Sequence, residues 1–137
     1  MQRLVIACLL AMIVWMAGCG SGSPFQAPNS PFAGDYTGTW SDSTTNDTGT
    51  AKMTVALNGN VTGTIVNSTT AKNGSFSGDI SSQGVASLTA TYPSTAATTL
   101  KGTFAFTASG SQLIGTLQQL NSANALTGTP TFTFTKD

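Results

Sequence analysis

Residues 100–117 read LKGTFAFTASGSQLIGTL. Leu100, Gly102, Phe104 and Phe106 alternate with Lys101, Thr103 and Ala105. After Ser109-Gly110 the alternation resumes as Leu113, Gly115 and Leu117. A side-chain period of two is the mark of a half-buried strand. Ser-Gly between two such runs accepts the backbone geometry of a tight turn. This stretch therefore predicts a β-hairpin with one apolar face.

The same unit, apolar–x–Gly–x–apolar, recurs along the chain. It appears around Gly38 (Tyr36, Trp40), Gly63 (Val61, Ile65) and Gly78 (Phe76, Ile80). It returns around Gly102 (Leu100, Phe104), Gly115 (Leu113, Leu117) and Gly128 (Leu126, Pro130). Each Gly shares a face with its apolar neighbours, so it points inward. Gly inside a strand costs about 0.5–1 kcal/mol relative to Ala. Repetition of that cost implies a need for bending and close approach, which arises when a sheet closes on itself.

Eight strands are expected, at 34–42, 49–57, 61–67, 74–80, 85–92, 98–107, 111–119 and 127–135. Turns are expected at Asn58-Gly59-Asn60, Asn73-Gly74, Ser82-Gln83-Gly84 and Ser109-Gly110. Short connections favour an antiparallel meander. The fold class is thus all-β, a small antiparallel eight-stranded meander barrel, with a two-sheet β-sandwich as the alternative. The expected interior is Tyr36, Trp40, Met53, Val55, Leu57, Val61, Ile65, Phe76, Ile80, Leu88, Tyr92, Leu100, Phe104, Phe106, Leu113, Leu117, Phe132 and Phe134. The outward positions are mostly Thr, Ser, Lys and Asn. A membrane-spanning barrel needs an apolar exterior, so this one is expected in water.

Upstream, residues 1–19 read MQRLVIACLLAMIVWMAGC. Arg3 precedes an apolar run from Leu4 to Ala17. As helix it would span about 21 Å, short of the ~30 Å hydrocarbon core, which suits a signal-peptide core. Met16-Ala17-Gly18-Cys19 resembles the lipobox of bacterial lipoprotein precursors, with Met16 where Leu is usual. The resemblance implies lipid attachment at Cys19, with cleavage after Gly18. Ordinary secretion is the alternative. Cys8 lies in the segment that would be removed, leaving Cys19 without a disulfide partner. Gly20 after the cysteine resembles the outer-membrane sorting pattern of Gram-negative lipoproteins. The outer face of a cytoplasmic membrane is the other location. The expected organisation is a signal peptide at 1–18, a lipidated Cys and tether at 19–33, and the β domain at 34–137. The tether is rich in Gly, Ser and Pro. Phe25 and Phe32 within it are expected to pack on the domain edge.

Gly38-Thr39-Trp40 is similar to the Gly-x-Trp of the calycins, the lipocalin and avidin-like barrels. Thr133-Phe134-Thr135-Lys136 is similar to the last strand of bacterial avidins. The resemblance implies a barrel with Trp40 plugging one end. No late Arg and no set of several Trp accompany it.

Residues 34–137 hold four Lys and five Asp, with no Glu, Arg or His. The commonest general bases and nucleophile activators are missing, so the chain is expected not to be an enzyme. No cofactor and no metal is expected. Asp42 and Asp47 in Ser41–Asp47 could suggest calcium, but the spacing fits no EF-hand loop and reads as turn chemistry. Scattered lysines make nucleic-acid binding unexpected. Two functions remain. One is a non-catalytic envelope protein acting by contact with a protein, a glycan or its own copies. The other is a binding module for a small apolar ligand, its pocket lined by Tyr36, Trp40, Phe104 and Phe106.

Overall fold

The alternating pattern becomes nine strands. They are β1 (Gly34–Asp42), β2 (Asp47–Val55), β3 (Asn60–Asn67), β4 (Lys72–Ile80) and β5 (Val85–Thr91). β6 (Thr98–Phe106), β7 (Gln112–Leu120), β8 (Leu126–Gly128) and β9 (Pro130–Lys136) follow. The computed structural model describes residues 29–137, none of them helical. Cys19, Phe25 and the lipobox lie outside the described residues.

From β1 to β7 each strand pairs antiparallel with the next. β9 then pairs with both β1 and β7, closing the ring. The result is an eight-stranded barrel, and the two-sheet sandwich is ruled out. β8 extends the line of β9 along β7, with a bulge at Gln119/Leu120. The last expected strand is therefore split. Pro130 has no N–H to give to the ladder, and it stands opposite Asp42 of β1. The Asp42 carboxylate accepts the Thr129 N–H at 3.1 Å and the Thr44 N–H at 2.8 Å. It thus satisfies backbone groups that the break and the turn leave free.

The repeated glycines face large residues across the seams. Gly38 pairs with Phe134, Gly63 with Phe76, and Gly115 with Phe104. A Cβ on Gly115 would enter the Phe104 ring, and one on Gly38 would stand 2.8 Å from the Phe134 Cα. Each ring folds over the bare backbone opposite it. That is how so small a barrel accommodates so many aromatics.

Fifteen of the eighteen residues expected inside are buried, and Tyr92 packs half-buried against them. Two expectations fail. Leu57 is 61% exposed, because β2 ends at Val55 and Leu57 belongs to the turn. Phe106 is 37% exposed, because it stands on the rim where β6 ends. Phe32, from the segment read as tether, joins the core. Its ring stacks on Phe106 with centroids 5.3 Å apart. Ser30 N–H donates to the Leu57 carbonyl at 2.7 Å, fastening the entry of the chain.

The two ends are built differently. At the end where β1 starts, the turns use Gly59, Gly84 and Gly110 at positive φ. At the far end, Asn46, Ala71, Ser94 and Asn124 take that conformation without being glycine. Asn73-Gly74, expected as a turn, lies within β4, and the actual turn before it is closed through Ala71.

Candidate functional site

The four rings expected to line a pocket do not share one. The Tyr36 hydroxyl donates to the Phe32 carbonyl at 2.7 Å, near the chain-entry end. Burial raises its pKa above the ordinary 10.0. Trp40 sits toward the far end, where its indole lies over Gly49 and donates to the Val66 carbonyl at 3.1 Å. Phe104 packs between Phe132 and Phe134, at 6.4 and 6.0 Å between centroids. Phe106 is on the rim with Phe32. Between Trp40 and Tyr36 the interior is filled. The space among Met53, Phe76, Leu88, Leu100, Phe104 and Phe132 admits no water molecule. These rings are the packing of the barrel.

The chain-entry end is sealed by Phe32. The far end is an open mouth. There the inward face of nearly every strand turns polar or stops. Along β3 the inward positions run Val61, Gly63, Ile65 and then Asn67; along β7 they run Leu113, Gly115, Leu117 and then Gln119. Trp40 forms the floor, and Asp47, Lys72 and Tyr92 stand around it. The mouth encloses a cavity of about 190 Å³. At roughly 30 Å³ per water that is room for about six waters.

Asn67 is the most constrained of these groups. It is 7% exposed. Its Oδ1 accepts the Thr70 N–H at 2.9 Å, which sets the orientation of the amide. Its Nδ2 has no partner among the described residues but is not closed off from solvent, and the side chain lines the cavity. Tyr92 covers Gly74 and has its pKa raised, first by burial and then by the Asp47 carboxylate. Asp42, also at this end, is committed to the backbone of Thr44 and Thr129. The arrangement can offer hydrogen bonds of both senses beside an aromatic face.

On the outer wall Val85, Ala105, Phe106 and Ile114 form a shallow apolar groove across β5, β6 and β7, edged by Lys101 and Thr103. Sequence reasoning passed over this groove and over Asn67 and Gln119. The mouth residues were traceable by carrying the inward parity of β3 and β7 one step further. The groove was not, since it depends on which outward residues the curvature gathers.

No protein-family model matches the chain, and no curated protein matches it.

Proposed function

We propose that this chain is a non-catalytic lipoprotein of the bacterial envelope, a neutral β-barrel held at a membrane by lipid on Cys19 and acting by surface contact. The observation that carries the contact reading is the filled interior, where Phe104, Phe132 and Phe134 leave no water-sized space. A small apolar ligand inside the barrel would have to displace core side chains. The anchor rests on Met16-Ala17-Gly18-Cys19 and the short apolar run before it. Several acyl chains, each worth about 0.8 kcal/mol per buried CH₂, would hold the protein durably. The described chain enters the barrel at the sealed end, so the point of attachment lies opposite the open mouth. The partners that suit such a surface are an envelope protein or a glycan.

The test has two arms. The full chain, expressed in a lipoprotein-processing bacterium, is expected in the membrane fraction with a lipid-bearing Cys19 peptide in its mass spectrum. Cys19→Ser is expected to escape lipidation and cleavage, accumulating as a longer precursor that still carries the apolar run Leu4–Ala17. Normal cleavage of Cys19→Ser, or a parent Cys19 peptide without lipid, would overturn the anchor. In the second arm, saturable fluorescence of an apolar dye displaced by fatty acid would overturn the filled-barrel reading.

A further inference from the structure

We propose that the open mouth of the barrel, around Trp40, Asn67, Tyr92 and Gln119, is a binding site for a single neutral sugar residue. The inference deepens the contact reading, since it names the chemistry of one partner, but it does not depend on the anchor.

The case begins with Asn67. A side-chain amide this deeply buried normally spends its donors on the protein. Here the carbonyl end is used locally, while the NH₂ end has no partner among the described residues, stays reachable by solvent, and belongs to a side chain that lines the cavity. Gln119 adds a second amide, with no side-chain hydrogen bond among the described residues. It stands at the position where β7 continues its inward face after Leu113 and Leu117.

The chemistry of the lining selects the ligand. Hydroxyl groups both donate and accept, so a polyol matches a wall that mixes amide NH₂, amide carbonyl, phenol and carboxylate. The Tyr92 ring supplies an apolar face for the C–H side of a pyranose. Two acids, Asp42 and Asp47, and one base, Lys72, border the cavity. The Asp42 carboxylate is already engaged by the Thr44 and Thr129 N–H groups, which leaves Asp47 and Lys72 to face a ligand. An anion would meet Asp47 and a cation would meet Lys72, so a neutral ligand is favoured. The volume of about 190 Å³ suits one ring. It is smaller than the ~300 Å³ at which drug-sized sites begin.

The experiment uses the full chain in detergent, with ¹⁵N spectra of the Asn67 and Gln119 side-chain amides. The probes are methyl β-D-glucopyranoside, methyl β-D-galactopyranoside and N-acetylglucosamine, with cyclohexylmethanol and glycine as controls. At least one sugar is expected to shift both amides saturably, with millimolar affinity. Asn67→Asp keeps an acceptor for the Thr70 N–H and replaces the NH₂ donor with a carboxylate oxygen, adding one negative charge that a neutral sugar meets without ion repulsion. It is expected to weaken that sugar about three- to tenfold, the size of one lost hydrogen bond, while the melting temperature stays close to that of the parent. Tyr92→Phe, which keeps the ring, is expected to weaken it by a similar or smaller factor. Three outcomes would overturn the site: no saturable shift with any sugar, tighter binding of cyclohexylmethanol or glycine, or unchanged sugar affinity in both variants. None of these would alter the processing of Cys19→Ser, so failure of this site and failure of the anchor are separable.

Discussion

Gly38 shows what a single missing side chain does in this barrel. Its partner across the seam is Phe134, which is fully buried. A methyl group at Gly38 would collide with the Phe134 backbone and the Thr133 carbonyl, neither of which can swing away. Gly38→Ala is therefore expected to destabilise the fold by about 1–3 kcal/mol in chemical denaturation, the range for overpacking. An Ala that left the midpoint unchanged would mean the seam is looser than described. Tyr36 makes a different residue-scale prediction. Burial raises its folded pKa above the ordinary 10.0, so the unfolded chain loses the phenol proton first as pH rises. The contribution is fully present below pH 10 and disappears as pH climbs through the folded value. Tyr92 acts in the same sense, through burial and then Asp47. Stability is expected to fall above pH 10, and Tyr36→Phe should flatten that fall. Unfolding free energies measured from neutral to strongly alkaline pH check this; an equally steep fall in the variant would refute it.

At the scale of elements, the residues just before β1 matter as much as a strand. Phe32 reaches under the rim, stacks on Phe106 and supplies the carbonyl that takes the Tyr36 hydroxyl. Its ring also lies against Gly84, where the turn before β5 passes close to the Phe104 carbonyl. Lys136 of β9 ties the same segment from the other side, donating to the Ala33 carbonyl at 2.7 Å. Phe32→Ala is expected to cost about 3–5 kcal/mol, as buried Phe truncations do, and to leave Phe106 without its stacking partner. Thermal melts of the variant test it, and a loss below one kcal/mol would show Phe32 to be a surface ornament. The opposite end is fastened differently. Asp42 bridges the β1–β2 turn and the break between β8 and β9, so hydrogen bonds brace the mouth above its Trp40 floor.

For the whole molecule, closure is the property with consequences. An open sheet of this composition would expose Thr103-Phe-Ala-Phe-Thr107 or Thr131-Phe-Thr-Phe-Thr135 as an edge, both free of charge and prone to add strands. In the barrel β6 is paired on both sides, and so is β9. Amide hydrogen exchange is expected to be slow in all eight barrel strands, with no fast-exchanging edge. Rapid exchange confined to β6 and β7, or to β1 and β9, would locate an open seam.

Much of this was written in the chain itself. A period of two with Thr outside and apolar residues inside determined strands, faces and nearly all of the core, because each depends only on local alternation. The recurring inward glycines pointed to closure, since a flat sheet gains nothing from them. Other features were settled by contacts distant in sequence. Phe32 entered the core, and Phe106 moved to the rim, because strand tilt and length decide which residues reach the ends. Pro130 split the last strand, and Asp42, 87 positions from Thr129, was there to satisfy it. The candidate site is of this second kind. Asn67 and Gln119 are ordinary polar residues in the sequence, and only ring closure carries them to one mouth, above an interior that the aromatic rings have already filled.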